Sequence, residues 1–237
     1  MPASNFKVAI YADGANREDM LKRHKEGLVK GFTTNPTLMA KAGNKDYAGF
    51  ARMILGEITD MPISFEVFSD EISEMHREAR IIASWGKNVN VKIPITNTKG
   101  ESTIPLIRKC LDEGMKLNVT ALFTQEQLND LRGILKPQDD VIVSIFAGRI
   151  ADTGVDPMPI MRKAVQDFKG LPGSKILWAS PREVFNVYQA DEAGCHIITC
   201  TDDIISKLKL RGKSLADYSL DTVKMFYADA TKAGFKL

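Results

Sequence analysis

Short apolar runs alternate with helical patterns from one end of the chain to the other. Strands are predicted at about 8–13, 31–35, 63–68, 88–94, 116–122, 141–147, 175–180 and 196–200, each bounded by turn or capping residues. The clearest helix carries Ile72, Met75, Ala79 and Ile82 at intervals of three and four, one buried stripe, with Asp70 as its expected cap and Gly86 as its expected end;. Others are predicted over 16–27 behind Asn16 and over 44–58 from Asn44. Thr124 with Gln127 three residues on spells a capping box that opens a helix at 125–134;. Pro157, Pro181 and Asp202 or Asp203 open three more.

Strand followed by helix, eight times over with short connections, predicts parallel strands joined by right-handed crossovers. Eight such units close into a (β/α)8 TIM barrel, so the expected fold class is α/β and the whole of 1–237 reads as a single domain;. An open doubly wound sheet would carry a glycine-rich phosphate turn after its first strand. Asp13-Gly14-Ala15-Asn16 is not one, and Gly212-Lys213-Ser214 lacks the leading glycine of a P-loop;. A last helix, about 215–233, carries Leu220, Val223, Phe226 and Tyr227 on one face. It exceeds what eight units need, and it either caps the barrel or packs on a neighbouring subunit.

Charge removes several classes of partner. The 32 Lys and Arg against 30 Asp and Glu leave a net charge of +2, with basic and acidic residues interspersed. Neither nucleic acid nor an acidic membrane surface is expected as a partner. No apolar run approaches the roughly 18 residues that span a bilayer. Cys110, Cys195 and Cys200 have no paired spacing, and the histidines are only His24, His76 and His196. The expectation is a reducing cytoplasm, with no disulfide framework, no metal site and no targeting segment.

Against that background one polar residue stands out. In Asn88-Val89-Asn90-Val91-Lys92-Ile93-Pro94, alternation puts Val89, Val91 and Ile93 on the outward face and Asn88, Asn90 and Lys92 on the inward one;. Burying an ammonium is costly, and a desolvated lysine is a candidate amine nucleophile for a carbonyl; the plainer reading is a lysine reaching water beside a loop. Barrel chemistry collects at the carboxyl ends of the strands, and the polar residues there are numerous: Asp13; Thr33-Thr34-Asn35-Pro36; Glu66 on one face with Ser64 and Phe68; Lys92; Asn118 and Thr120; Ser144 and Phe146, then Gly148-Arg149; Ser180 and Arg182; and on the eighth strand only Thr199 and Thr201. Asp13 and Asn35-Pro36 also read as capping and turn residues, and Arg149 and Arg182 as surface ion-pair partners. Glu66, between Phe65 and Val67 on a central strand, has to be paired or solvated by a cavity;. Two arginines at adjacent strand ends are better explained by a shared anion, most simply a phosphate.

These residues resemble the transaldolases, in particular the short branch that also includes the fructose-6-phosphate aldolases. The matching stretches are Asp13, Thr33-Thr34-Asn35-Pro36-Thr37, Phe65-Glu66-Val67, Val91-Lys92-Ile93-Pro94, Asn118-Val119-Thr120, Phe146-Ala147-Gly148-Arg149-Ile150 and Ala179-Ser180-Pro181-Arg182. The resemblance implies a class I enzyme without metal or organic cofactor, in which Lys92 forms a Schiff base with a ketose phosphate. It implies further that Asp13, Glu66 and Thr120 handle protons, that Thr33, Asn35, Asn118, Ser144 and Phe146 line the sugar site, and that Arg149, Ser180 and Arg182 hold the phosphate. A homo-oligomer, pentamer or decamer, goes with the short branch.

The chain departs from its relatives in four places. Gly14 stands where long transaldolases usually have threonine, and Pro181 where phenylalanine is common. Glu66 replaces the glutamine of the aldolase branch, and Phe146 its tyrosine. A phenylalanine cannot give a proton to an enamine or orient water for it, which favours transfer to an aldehyde over release of dihydroxyacetone. Other readings are aldolase cleavage, a catalytically idle sugar-phosphate-binding barrel, and a lyase or isomerase using Lys92 only as an electrostatic clamp.

Overall fold

The computed structural model describes residues 6–236. In chain order they form β1 (Ala9–Asp13), α1 (Arg17–Glu26), β2 (Phe32–Thr33), α2 (Pro36–Lys41), α3 (Tyr47–Glu57), β3 (Ile63–Glu66), α4 (Ile72–Ala83) and β4 (Val89–Pro94). There follow α5 (Ile104–Asp112), β5 (Leu117–Leu122), α6 (Gln125–Ile134), β6 (Val141–Ile145), α7 (Ala147–Asp152) and α8 (Met158–Asp167). The chain then runs through β7 (Ser174–Trp178), α9 (Phe185–Glu192), β8 (Ile197–Cys200), α10 (Asp202–Lys207) and α11 (Leu215–Ala233). Each strand pairs parallel with the next, and β8 returns to β1, so the sheet closes as the predicted barrel.

The inward and outward parity of the strands holds except at the end of β5, where the register with β6 shifts between Val119 and Leu122, and at Phe68, which lies exposed beyond the end of β3. Val89, Val91 and Ile93 are buried in the layer between barrel and helices, together with Phe65, Leu117, Val119, Val143 and Trp178. A smaller cluster of Tyr11, Ile142, Leu177, Ala179 and Ile197 fills the barrel interior. That interior plug leaves the carboxyl-terminal mouth to polar side chains.

Element ends moved where a side chain found a better partner than its own helix. Asn16 caps α1 through Asp19 N–H, and Thr124 and Gln127 form the capping box of α6, both as expected. Asp70, expected to cap α4, instead accepts from the N–H and hydroxyl of Thr98 at 2.7 and 2.8 Å, and Glu71 takes the cap position without a capping hydrogen bond from its side chain. That helix ends at Ala83, short of Gly86. Asn44 does not start α3 either: its amide donates to the Ala15 carbonyl at 2.7 Å, and Asp46 caps that helix through Gly49 N–H. A Cβ at Gly49 would lie 2.2 Å from the Asp46 carboxylate, so a larger residue there would make the capping side chain shift. The helix expected from Pro181 begins at Phe185. The strand expected over 141–147 stops at Ile145, where the short helix α7 takes over.

The last helix forms as predicted and buries no residue of its own. Tyr218, Leu220, Val223, Met225, Phe226 and Tyr227 all lie exposed on it. It does not cap the barrel within this chain.

Candidate functional site

Register, set by the backbone ladder, decides which polar groups meet. Glu66 is opposite Lys92, Lys92 opposite Asn118, and Pro94 opposite Thr120, so the inward residues of β3, β4 and β5 form a tier at the mouth. Lys92 is 6 % exposed, and no other lysine among the described residues is buried. Its Nζ lies 3.0 Å from Glu66 Oε2 and donates to the Thr34 carbonyl at 3.2 Å. A buried charge needs such partners, because leaving it unpaired costs far more than an exposed one.

Asp13 sits beside this pair on β1. Burial holds its carboxyl above the usual carboxylate range, against the opposing pull of the Lys92 charge and the Thr33 hydrogen bond;. Thr33 Oγ1 donates to Asp13 Oδ1 at 2.7 Å, which leaves Thr199 Oγ1 to donate in turn to Thr33 Oγ1 at 2.5 Å. A second relay crosses the barrel: Ser144 Oγ donates to Asn118 Oδ1 at 2.6 Å, and Asn118 Nδ2 to Ser64 Oγ at 3.0 Å.

Thr120 Oγ1 is buried with no hydrogen-bond partner among the described residues. It immediately precedes Ala121, whose φ of 59° lies in the left-handed region, at an irregularity in the β5–β6 register. Such a backbone costs on the order of 1–3 kcal/mol in a non-glycine residue and collects at functional sites. An unsatisfied hydroxyl beside strained backbone marks a position arranged for something other than stability.

The far end of the mouth is built differently. Phe146, with Phe123 at 5.7 Å, lies under the Arg149 guanidinium at 5.6 Å. Ser180 also has a left-handed backbone, φ 60°. Gly148 packs against it so closely that a Cβ there would fall 1.6 Å from the Ser180 carbonyl oxygen, so only glycine allows the start of α7, which carries Arg149, to meet the Ser180 turn. Arg182 makes a two-pronged pair with Asp152 of α7, its Nε at 3.0 Å from Oδ1 and its Nη2 on Oδ2. Both side chains are about half exposed, so the pair itself stabilises by only about 0–1 kcal/mol;. Among the described residues nothing hydrogen-bonds the Nη1 of the guanidinium.

The geometry thus brings together Asp13, Thr33, Glu66, Lys92, Asn118 and Ser144 through hydrogen bonds or ion pairs, with Thr120 in the adjoining tier. Asn35 has divided duties: its Oδ1 caps α2 through Leu38 N–H at 2.9 Å, while its amide nitrogen makes no hydrogen bond among the described residues. Gly14 needs no glycine backbone, and a Cβ there would meet nothing within 4 Å. Its lack of a side chain widens a cleft of about 300 Å³ that Asp13, Asn16, Leu38 and Lys41 also line. Among the described residues no three His, Cys, Asp or Glu side chains are grouped so that they could hold a metal ion.

Ser64 and Thr199, named among the strand-end residues without a role, take part through the Asn118 and Thr33 hydrogen bonds. One contributor, Tyr47, has no counterpart in the sequence reading. No strand parity points to it, because it reaches the site from a helix: its hydroxyl donates to the Glu66 carbonyl at 3.0 Å and accepts from Glu66 N–H at 2.8 Å.

Comparison with known proteins adds the following. Residues 10–237 match the model of the transaldolase/fructose-6-phosphate aldolase family. Similar sequences include a "Probable transaldolase 2" of Listeria monocytogenes, 36 % identical over 206 residues that cover 85 % of this chain and 88 % of that protein. A "Probable transaldolase" of Thermoanaerobacter is 33 % identical over 231 residues, 97 % of this chain and 100 % of that protein. Another, of Maridesulfovibrio salexigens, is 35 % identical over 224 residues, 92 % and 99 %. Among solved structures, 2,3-dimethylmalate lyase superposes with a TM-score of 0.57 at 12 % identity, covering 98 % of this chain and 82 % of that one. At that identity the likeness is one of fold.

Proposed function

Since the chain belongs to the transaldolase/fructose-6-phosphate aldolase family, we propose that it transfers a dihydroxyacetone unit from a ketose phosphate to an aldose phosphate through a Schiff base on Lys92. The observation that carries this reading is the buried Lys92 Nζ, held between Glu66 and the Thr34 carbonyl with Asp13 alongside.

In this reading the neutral Lys92 amine attacks C2 of fructose 6-phosphate or sedoheptulose 7-phosphate. Glu66, with a water held on Thr120, moves the protons that turn the carbinolamine into an iminium and water. Asp13 takes the proton of the C4 hydroxyl, the C3–C4 bond breaks, and its electron pair passes into the iminium to give an enamine. The aldose phosphate leaves. Asn35, Asn118 and Ser144 hold the enamine while glyceraldehyde 3-phosphate or erythrose 4-phosphate takes its place. Attack on the aldehyde forms the new C–C bond, Asp13 returns its proton to the new hydroxyl, and hydrolysis frees Lys92. Arg149, Ser180 and Arg182 anchor the phosphate, with Nη1 of Arg182 available to it.

Phe146 supports transfer over cleavage, since its ring lines the site without a hydroxyl to protonate the enamine. Incubation of fructose 6-phosphate with erythrose 4-phosphate tests the reading. Sedoheptulose 7-phosphate should form rapidly, and fructose 6-phosphate alone should release dihydroxyacetone slowly. Mass spectrometry after borohydride reduction should find the adduct on Lys92, and none in Lys92→Ala. An adduct elsewhere, or free dihydroxyacetone formed as fast as transfer, would overturn it.

The exposed apolar face of α11 supports assembly with further copies of the chain, the pentamer or decamer of the short branch, with Phe226 and Tyr227 as anchors;. A monomer by sedimentation at micromolar concentration would refute this. No helix of the described residues is long and apolar enough to cross a membrane. Three free, buried cysteines fit a reducing cytoplasm;.

A further inference from the structure

We infer that Tyr47 is a positioning residue for the Lys92–Glu66 pair, its hydroxyl standing in for the strand residue that β2 fails to provide. The inference rests on the reading of Lys92 and Glu66 given above.

The ladder between β2 and β3 advances two residues at a time: Phe32 N–H bonds the Pro62 carbonyl, and Thr34 N–H the Ser64 carbonyl. One step further, the N–H of residue 36 would bond the Glu66 carbonyl, and Glu66 N–H would bond the Thr34 carbonyl. Neither bond forms. Position 36 is a proline with no N–H, and it opens α2 and turns the chain away;. Glu66 is therefore left with a donor and an acceptor facing a gap, at the strand end that carries its carboxylate.

Tyr47 fills both vacancies with one atom. It is the first residue of α3, placed by the Asp46 cap, and its ring is wedged against Phe65, Phe68 and Trp85 at 6.3, 5.5 and 6.1 Å. Its hydroxyl gives its proton to the Glu66 carbonyl and receives the Glu66 N–H. Burial pushes the phenol up to about 12, so it stays a donor across the working pH range. The substitution has a second effect. The Thr34 carbonyl, relieved of Glu66 N–H, is the oxygen that accepts from Lys92 Nζ at 3.2 Å. One tyrosine hydroxyl thus fixes the backbone of the carboxylate and frees the carbonyl that holds the amine.

Tyr47→Phe removes the hydroxyl and keeps the ring. Trp85→Phe, in the same aromatic cluster, loosens packing without touching Glu66 and serves as the structural control. Both full-length variants are assayed for kcat, KM and the rate of borohydride trapping with fructose 6-phosphate across pH. Tyr47→Phe should lower kcat and the trapping rate about tenfold, shift the pH profile of trapping, and leave KM within about twofold. Trp85→Phe should lower the melting temperature while its pH profile stays that of the parent. An unchanged profile in Tyr47→Phe, or the same shift in both variants, would overturn the inference. Should Tyr47→Phe not fold, 3-fluorotyrosine at position 47 keeps the ring and weakens the acceptor, and it too must shift the profile. Lys92→Ala separates the two levels of argument: trapping that survives it defeats the Schiff-base reading itself, whatever Tyr47 does.

Discussion

The two ends of the mouth hold charge in opposite ways. At the centre Lys92, Glu66 and Asp13 are withdrawn from water, and each is fixed by at least one protein partner. At the rim Arg149 and Arg182 stand in solvent, one resting on an aromatic ring and the other on an exposed carboxylate. The same pair of charges interacts several times more strongly at low effective dielectric than in water. The centre is therefore where a proton or an electron pair can be moved. The rim charges interact with any partner more weakly, through water, which fits the phosphate role proposed for them.

Breaking the centre should have the largest effect. Lys92→Arg keeps the positive charge and removes the amine, and activity should fall by more than about a thousandfold, as expected for loss of a nucleophile. Coupled assay of transfer, on protein shown to be folded by circular dichroism, decides it. If Lys92→Arg retains most of the activity, Lys92 is an electrostatic clamp and the contrast between centre and rim loses its chemical meaning.

Asp13→Asn should come next, with kcat lower by about 10²–10⁴-fold. Its stability should move the other way. Because burial holds the native Asp13 carboxyl above the ordinary range, its ionised form opposes folding. That penalty is absent below the unfolded-state value near about pH 4, grows as pH rises toward the native value, and is fully present above it. Asp13→Asn should therefore melt higher than the parent at neutral pH and no higher near about pH 4, as scanning calorimetry at the two pH values would show. A lower melting temperature at neutral pH would mean that ionised Asp13 stabilises the fold through Lys92.

At the rim the expected loss is smaller and selective. Arg149→Ala or Arg182→Ala should cost roughly 1.5–3 kcal/mol in kcat/KM toward phosphorylated sugars and little toward unphosphorylated ones. Equal loss on both would make the arginines structural, Arg182 serving only Asp152. The smallest effect is expected where centre and rim meet: Phe146→Tyr, more so with Glu66→Gln, should raise the cleavage-to-transfer ratio a few-fold, measured as free dihydroxyacetone against sedoheptulose 7-phosphate.

Much of the centre is legible in the sequence, and little of the rim's wiring is. Lys92, Glu66, Asn118, Thr120 and Ser144 follow from alternation alone, because a strand sends successive side chains to opposite faces whatever surrounds it. The capping and pairing choices that differ involve a partner far along the chain. Asp70 left α4 for Thr98, Asn44 left α3 for Ala15, and Arg182 found Asp152 thirty residues away. No local pattern encodes such choices, since a capping residue has several near-equivalent partners and packing selects among them.

From its sequence alone this protein is an eight-unit barrel with a lysine facing inward among polar residues at the strand ends, because periodicity is a property of the backbone and needs no tertiary contact. What only the folded chain decided is the set of distances that turn those residues into a site: the register that sets Glu66 against Lys92, the left-handed turns at Ala121 and Ser180, the close approach at Gly148, and the Tyr47 hydroxyl in the gap beyond β2. Each of these depends on two segments meeting, and the free energy that holds them comes from the packing of the whole barrel rather than from either segment.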